Sequence, residues 1–331
     1  MRESESADAW AQVRDSEEVP PSLPGHPMNR LQSWCHPAFM LTCVLAAHVV
    51  EAKPATARLK PEARIHVAAV KESSGIVASR RYPGVFWTHN DSGDTARLFA
   101  FHRDGRAVSP KDLDDDYRGV NIQGATNRDW EDIAIGDDGT LYVGDIGNNN
   151  STRRDLAIYV IPEPDPEANL NIKSFKRVPF AYPDQRAFPP KPPNFDAEAL
   201  FWADGTLWLL SKHHGDRHTT LYRFNSLRTD QTNVLARVEE FATDFPVSAA
   251  DASADGKRLA VLTNQSIWVF ERGAADTSWF AGRHWHQRIH AGNAEGICWD
   301  GDDLVLTNEA RDIFVVHLEE LINSPERSPS S

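Results

Sequence analysis

The sequence predicts an all-β fold, a single β-propeller of five blades, and three observations carry that prediction. A short pattern recurs five times, as Ser74-Gly75-Ile76, Glu131-Asp132-Ile133, Glu198-Ala199-Leu200, Ser248-Ala249-Ala250 and Glu295-Gly296-Ile297, each copy opening a short apolar strand. Most copies run to an Asp-Gly turn and then to a second strand, with turns at Asp138-Gly139, Asp204-Gly205, Asp255-Gly256 and Asp300-Gly301. Ten tryptophans and fifteen phenylalanines, set among strand-forming residues, supply a core. Units of this length cannot bury a core alone, so they close on one another as blades.

Taken in order, the first repeat shows strands at Ile76–Ala78, Val85–Thr88 and Arg97–Phe101, with only the irregular, acidic stretch Lys111–Gly124 in the fourth place. The second reads Ile133–Ile135, Leu141–Gly144, Ala157–Ile161 and Phe175–Tyr182. The third reads Leu200–Trp202, Leu207–Ser211, Thr220–Phe224 and Val234–Phe241. In the fourth, Leu259–Thr263, Ser266–Phe270 and Trp285–His290 follow the pattern residue. The fifth has Ile297–Trp299, Asp303–Thr307 and Ile313–His317, and no sequence left for a fourth strand. Arg64–Val70 is expected to fill that place, closing the ring by joining both ends of the chain in one blade. Pattern residues lie 57, 67, 50 and 47 apart, long for blades, so six blades is the alternative.

Residues 1–27 are polar and acidic, and from Met28 the chain reads as an exported protein beginning again. Arg30 gives a positive start, Pro37–Val50 an apolar run of signal-peptide length and Val50-Glu51-Ala52 a cleavage site. The expected organisation is a leader through residue 52, a linker over 53–63, the propeller over 64–321 and a disordered tail over 322–331. Secretion or a periplasmic location follows, with no membrane span in the mature chain. The whole sequence has a net charge of −13; residues 1–52 hold three basic and seven acidic residues, so the remainder is −9. That balance argues against nucleic-acid backbone binding and suits cation binding. Cys298 alone remains beyond the leader, which excludes an internal disulfide and requires a core that holds itself together. A monomer is expected.

The first strand of a propeller blade lines the central channel, so Ser74, Glu131, Glu198, Ser248 and Glu295 should converge on the axis. Three carboxylates and two hydroxyls, with no cation among them, repel unless something positive sits inside. Hard oxygen donors of this kind suit Ca2+, whereas zinc would call for His or Cys. Calcium is therefore the expected ion.

The order Ser, Glu, Glu, Ser, Glu, one per blade, resembles the central calcium ring of the calcium-activated nucleotidases (apyrases), which are five-bladed propellers. That resemblance implies that the five residues are calcium ligands. The segments Glu72-Ser-Ser-Gly-Ile-Val-Ala-Ser, Trp87-Thr-His-Asn-Asp-Ser-Gly, Asp129-Trp-Glu-Asp-Ile-Ala and Tyr142-Val-Gly-Asp-Ile-Gly-Asn resemble a group of exported bacterial propeller proteins of unassigned activity.

Each second strand ends in polar residues, among which His89, Asp91, Asp145, Lys212 and Glu309 offer acid, base and electrophile roles, with Arg153 or Arg154 able to hold an anion. These ends are expected opposite the ring if the ring residues begin their strands, and beside it if the ring lies deeper. The functional expectation is an exported, calcium-binding propeller that takes a small or polymeric anionic ligand and hydrolyses a phosphoester or related ester. One alternative is a non-enzymatic binding or scaffold propeller of the cell envelope. Another is a six-bladed, lactonase-like hydrolase using Glu131, Asn90 and Asn308.

Overall fold

The computed structural model describes residues 56–113, 117–273 and 278–323. The expected leader and nearly all of the expected tail lie outside them. Two short strands come first, β1 (Ala57–Arg58) and β2 (Ala63–Arg64). Blade one holds β3 (Ser73–Ala78), β4 (Val85–Asn90), β5 (Arg97–His102) and β6 (Val120–Ile122). Blade two holds β7 (Trp130–Ile135), β8 (Thr140–Asp145), β9 (Ala157–Pro162) and, after the short β10 (Asn171–Ile172), β11 (Lys176–Ala181). Blade three follows as β12 (Asp196–Ala203), β13 (Thr206–Lys212), β14 (His218–Arg223) and, after β15 (Asn233–Val234), β16 (Ala236–Ala242). Blade four is β17 (Val247–Ala252), β18 (Arg258–Thr263), β19 (Ser266–Glu271) and β20 (Arg283–His290). Blade five is β21 (Ala294–Asp300), β22 (Asp303–Asn308) and β23 (Asp312–His317), completed by β2, which pairs Ala63 with Ile313.

Five sheets in a ring settle the blade number, and the six-bladed alternative falls. The inner strands β3, β7, β12, β17 and β21 are neighbours in that order, and β21 lies against β3. Apolar side chains fill each seam. Trp87 and Leu98 meet Trp130 and Ile133 between blades one and two, and Tyr142 meets Leu200 and Leu209 between two and three. Phe201 packs with Val261 and Trp279 between three and four, Ala249 with Ile297 between four and five, and Ile76 with Cys298 and Val305 between five and one. Burial at about 25 cal/mol per Å² makes these seams the main source of stability.

The closing strand was expected over Arg64–Val70 and is only two residues long, because the backbone beyond Arg64 bonds across to Arg311 and Gly105. The stretch 53–63 is not wholly a linker: β1 adds to the outer edge of blade four, pairing Ala57 with Ile289. Lys111–Gly124 does contain a fourth strand, β6, three residues long. A short helix, α1 (Leu318–Asn323), ends the described chain, with Leu318 and Leu321 buried against blades four and five.

The segment before each fourth strand grips the preceding blade. β10 pairs parallel with β6, β15 with β11 and β1 with β20. Ahead of β20, the backbone N–H groups of Trp279 and Phe280 donate to Glu239 on β16, at 2.9 and 3.2 Å. Ahead of β6, Gly105 accepts from the His66 N–H at 2.8 Å, and a Cβ at Gly105 would lie 1.8 Å from the Arg64 carbonyl oxygen. The five grips run one way around the ring. Among the described residues no helix is long and apolar enough to cross a membrane.

Candidate metal centre at the channel mouth

Every inner strand carries one residue more than its partner at the same point. Register slips between Ser73 and Ile76, Trp130 and Ile133, Ala197 and Ala199, Val247 and Ala249, and Ala294 and Gly296. Ser74, Glu131, Glu198, Ser248 and Glu295 all fall inside these β-bulges. A bulge leaves a residue out of the ladder and re-aims its side chain. The repeated pattern is therefore the trace of five matched bulges.

Antiparallel pairing brings the ends of the second strands back to the same mouth. Asn90 pairs with Ser73, Asp145 with Trp130, Lys212 with Asp196, Thr263 with Val247 and Asn308 with Ala294. The opposite-face expectation is corrected, since the second strand of a hairpin ends where the first begins.

Glu131, Glu198 and Glu295 bring carboxylate oxygens within 4.8 Å of one another. Glu131 belongs to a second group of the same size with Asp91 and Asp129. The expectation of a ring without a cation is corrected: Lys212 Nζ lies 2.8 Å from Glu198 Oε1. Five carboxylates against one ammonium still leave a formal −4 if all are ionised. Burial, then Glu198, Asp91 and Asp129, push Glu131 well up. Glu198 is pushed up by burial, offset in part by Lys212. Burial raises Glu295 to about 7 and, with the Asp91 charge, Asp129 to about 6. Lys212 is held protonated above its ordinary range by Glu198, against the pull of burial.

The ring hydroxyls are used within the protein. Ser74 Oγ donates to the Glu131 carbonyl at 2.6 Å and Ser248 Oγ to the Ala294 carbonyl at 3.1 Å, each tying one blade to the next. Asp91 joins the cluster. His89 does not: it is wholly buried, its Nδ1 is 3.1 Å from the Asn90 carbonyl, its ring meets Trp130 edge-on, and burial lowers its pKa to about 4. Asp145 pairs with the buried Arg153 at 2.8 Å and accepts the Asp129 N–H at 3.1 Å. Glu309 is exposed, accepts from Asn293 Nδ2 at 2.9 Å, and its charge helps to raise Asp91 and Glu295.

Three acidic residues escaped the sequence reading. Asp129 stands just ahead of β7, two residues before Glu131, and the bulge brings the two carboxylates together with that of Asp91. Asp196 is buried, accepting the Asn148 N–H at 2.5 Å and lying 2.7 Å from His214 Nε2. Below the ring, Asp132 accepts backbone N–H groups from Ile133 at 2.9 Å, Leu200 at 2.8 Å and Ala250 at 3.4 Å, joining three inner strands. A glycine completes the cluster: a Cβ at Gly147 would lie 2.1 Å from Glu131 Oε1 and 2.4 Å from Asp129 Oδ2. Only a residue without a side chain lets that loop close over the carboxylates.

The donor set is all oxygen, several carboxylates deep and free of His and Cys, which fits calcium or magnesium and not zinc.

No family model matches this chain, and no curated protein does. Among solved structures it is similar to a β-propeller domain from Myceliophteria thermophila, at 12% identity over 74% of this chain and 83% of that one, with a TM-score of 0.37. A Kuenenia stuttgartiensis hydrazine synthase chain is 9% identical over 74% and 71%, with a TM-score of 0.39. A chain of a mitotic checkpoint complex is 14% identical with a TM-score of 0.36; 73% of this chain is covered and 61% of that one. The propeller assignment rests on the five sheets themselves.

Proposed function

We propose that this propeller binds calcium at the mouth of its channel and uses the loaded mouth to take an anionic ligand. The observation that carries the reading is the position of Glu131 in two carboxylate triads built on matched bulges. Glu131, Glu198 and Glu295 would hold the ion, with Asp91 and Asp129 on its flank. The ion would offset carboxylate repulsion and supply a positive centre for a ligand oxygen. Lys212 adds a second positive group on the same face. The ring's resemblance to that of the calcium-activated nucleotidases supports the calcium reading, and the expected leader supports an exported protein that meets calcium outside the cytoplasm.

The test is thermal unfolding of the full chain after chelation, then with calcium or magnesium, for wild type and Glu198→Gln. Calcium at a hundredfold excess over its dissociation constant should stabilise wild type by about 2.7 kcal/mol. Magnesium should do less and the variant should respond weakly. No calcium response at millimolar concentration would sink the reading.

Hydrolysis of a phosphoester or related ester is the second reading, favoured by Asp91, which burial pushes up towards proton acceptance, standing on the same face as Lys212. Turnover on a phosphoester panel that is lost in Asp91→Asn separates it from binding alone.

A further inference from the structure

The loop between β11 and β12 has two faces. Asp184 and Arg186 turn to a wide polar groove on blade three, whereas Gln185 and Phe188 close a separate cavity of about 150 Å³ on blade two. Leu156, Phe180 and Tyr182 form that cavity's apolar walls. Its size matches a single benzene-sized ring, since an apolar cavity of about 150 Å³ takes up benzene.

Two arginines border it, and their charges are disposed differently. Arg153 is spent on Asp145 at 2.8 Å, Asp155 at 3.3 Å and the Gly147 carbonyl at 2.7 Å. Arg154 has no carboxylate within ion-pair distance among the described residues and lies flat on Phe188, its guanidinium carbon 3.7 Å from the ring centroid. Stacking occupies the face of a guanidinium and leaves its in-plane N–H groups free, the geometry that grips a carboxylate with two hydrogen bonds.

We infer that this cavity is a binding site for a small carboxylate carrying one aromatic or branched apolar group. The apolar group fills the space between Leu156, Phe180 and Tyr182, and the carboxylate lies on Arg154 at the rim. This site is independent of the calcium reading, because none of its walls belongs to the carboxylate triads.

Titration calorimetry of the full chain with benzoate, in the presence of chelator, tests it. Wild type should bind one benzoate, and Lys212→Met should bind it equally well, which excludes the channel mouth as the place. Arg154→Met keeps an unbranched side chain at the rim and removes the charge; it should weaken binding about tenfold or more. Acetate and benzyl alcohol, lacking ring and charge respectively, should each bind more weakly than benzoate. Absence of saturable binding, equal affinity in Arg154→Met, or benzyl alcohol matching benzoate would each overturn the inference.

Discussion

Glu131 and Asp132 are adjacent in the chain, both buried, and both lie among the inner strands of several blades, yet the protein treats them in opposite ways. Asp132 sits in the throat, where three backbone N–H groups from three blades answer it. Gly75 stands against it, and a Cβ there would lie 2.4 Å from Asp132 Oδ1. Glu131 sits one residue earlier at the mouth, with no hydrogen-bond donor to its carboxylate among the described residues and four other carboxylates around it. A carboxylate the fold has satisfied is a structural part, and one surrounded by its own kind is where we propose the cation.

The comparison breaks or sharpens under substitution. The largest effect is expected from Asp132→Ala, which strands three buried N–H groups; unfolding in denaturant should show a loss of about 4 kcal/mol, with and without calcium. A loss below about 1 kcal/mol would remove Asp132 from the architecture. Glu131→Gln should act with the opposite sign in chelator at alkaline pH, where the mouth carboxyl groups are ionised: relief of like-charge repulsion raises the melting temperature by about 2 °C. The same substitution should abolish the calcium increment, and a variant that keeps it would move the ion elsewhere.

The smallest effect is in the pH profile. Glu295 and Asp129 are raised in the folded state to about 7 and about 6, above their unfolded values, so between about pH 4 and 7 the folded chain holds more protons than the unfolded one. Their contribution is therefore fully present below the unfolded pKa and is lost as pH rises through the folded pKa. Melting in chelator should fall from pH 5 to pH 8, while the calcium increment should grow over the same range, because the ion binds the deprotonated groups. A flat profile in chelator would mean that the mouth is not acidic in the way its geometry implies.

The five ring positions were legible because a repeat writes the same local event five times. What the event was, a bulge, was not, since an extra residue shows only against the partner strand. Lys212 was legible as a polar strand end but not as the counter-charge of Glu198, a pairing that requires knowing that second strands return to the mouth. Asp129 lies ahead of β7, and its meeting with Glu131 depends on the bulge, which no alternation rule reveals. Asp132 read as part of a motif, and its role depends on Leu200 and Ala250, 68 and 118 residues away. The grips between blades left no trace because two-residue strands fall below any periodicity.

Those grips set an order on the making of the molecule. Ala57 meets Ile289 and Ala63 meets Ile313, partners 232 and 250 positions further along. A growing chain releases β1 and β2 before any blade exists for them to join, and they remain without partners until blades four and five emerge. The segment synthesised early is thus among the last to dock, after the entropy of closing the longest loop in the domain has been overcome. Until then blade five has an open edge, and the ring is a strip.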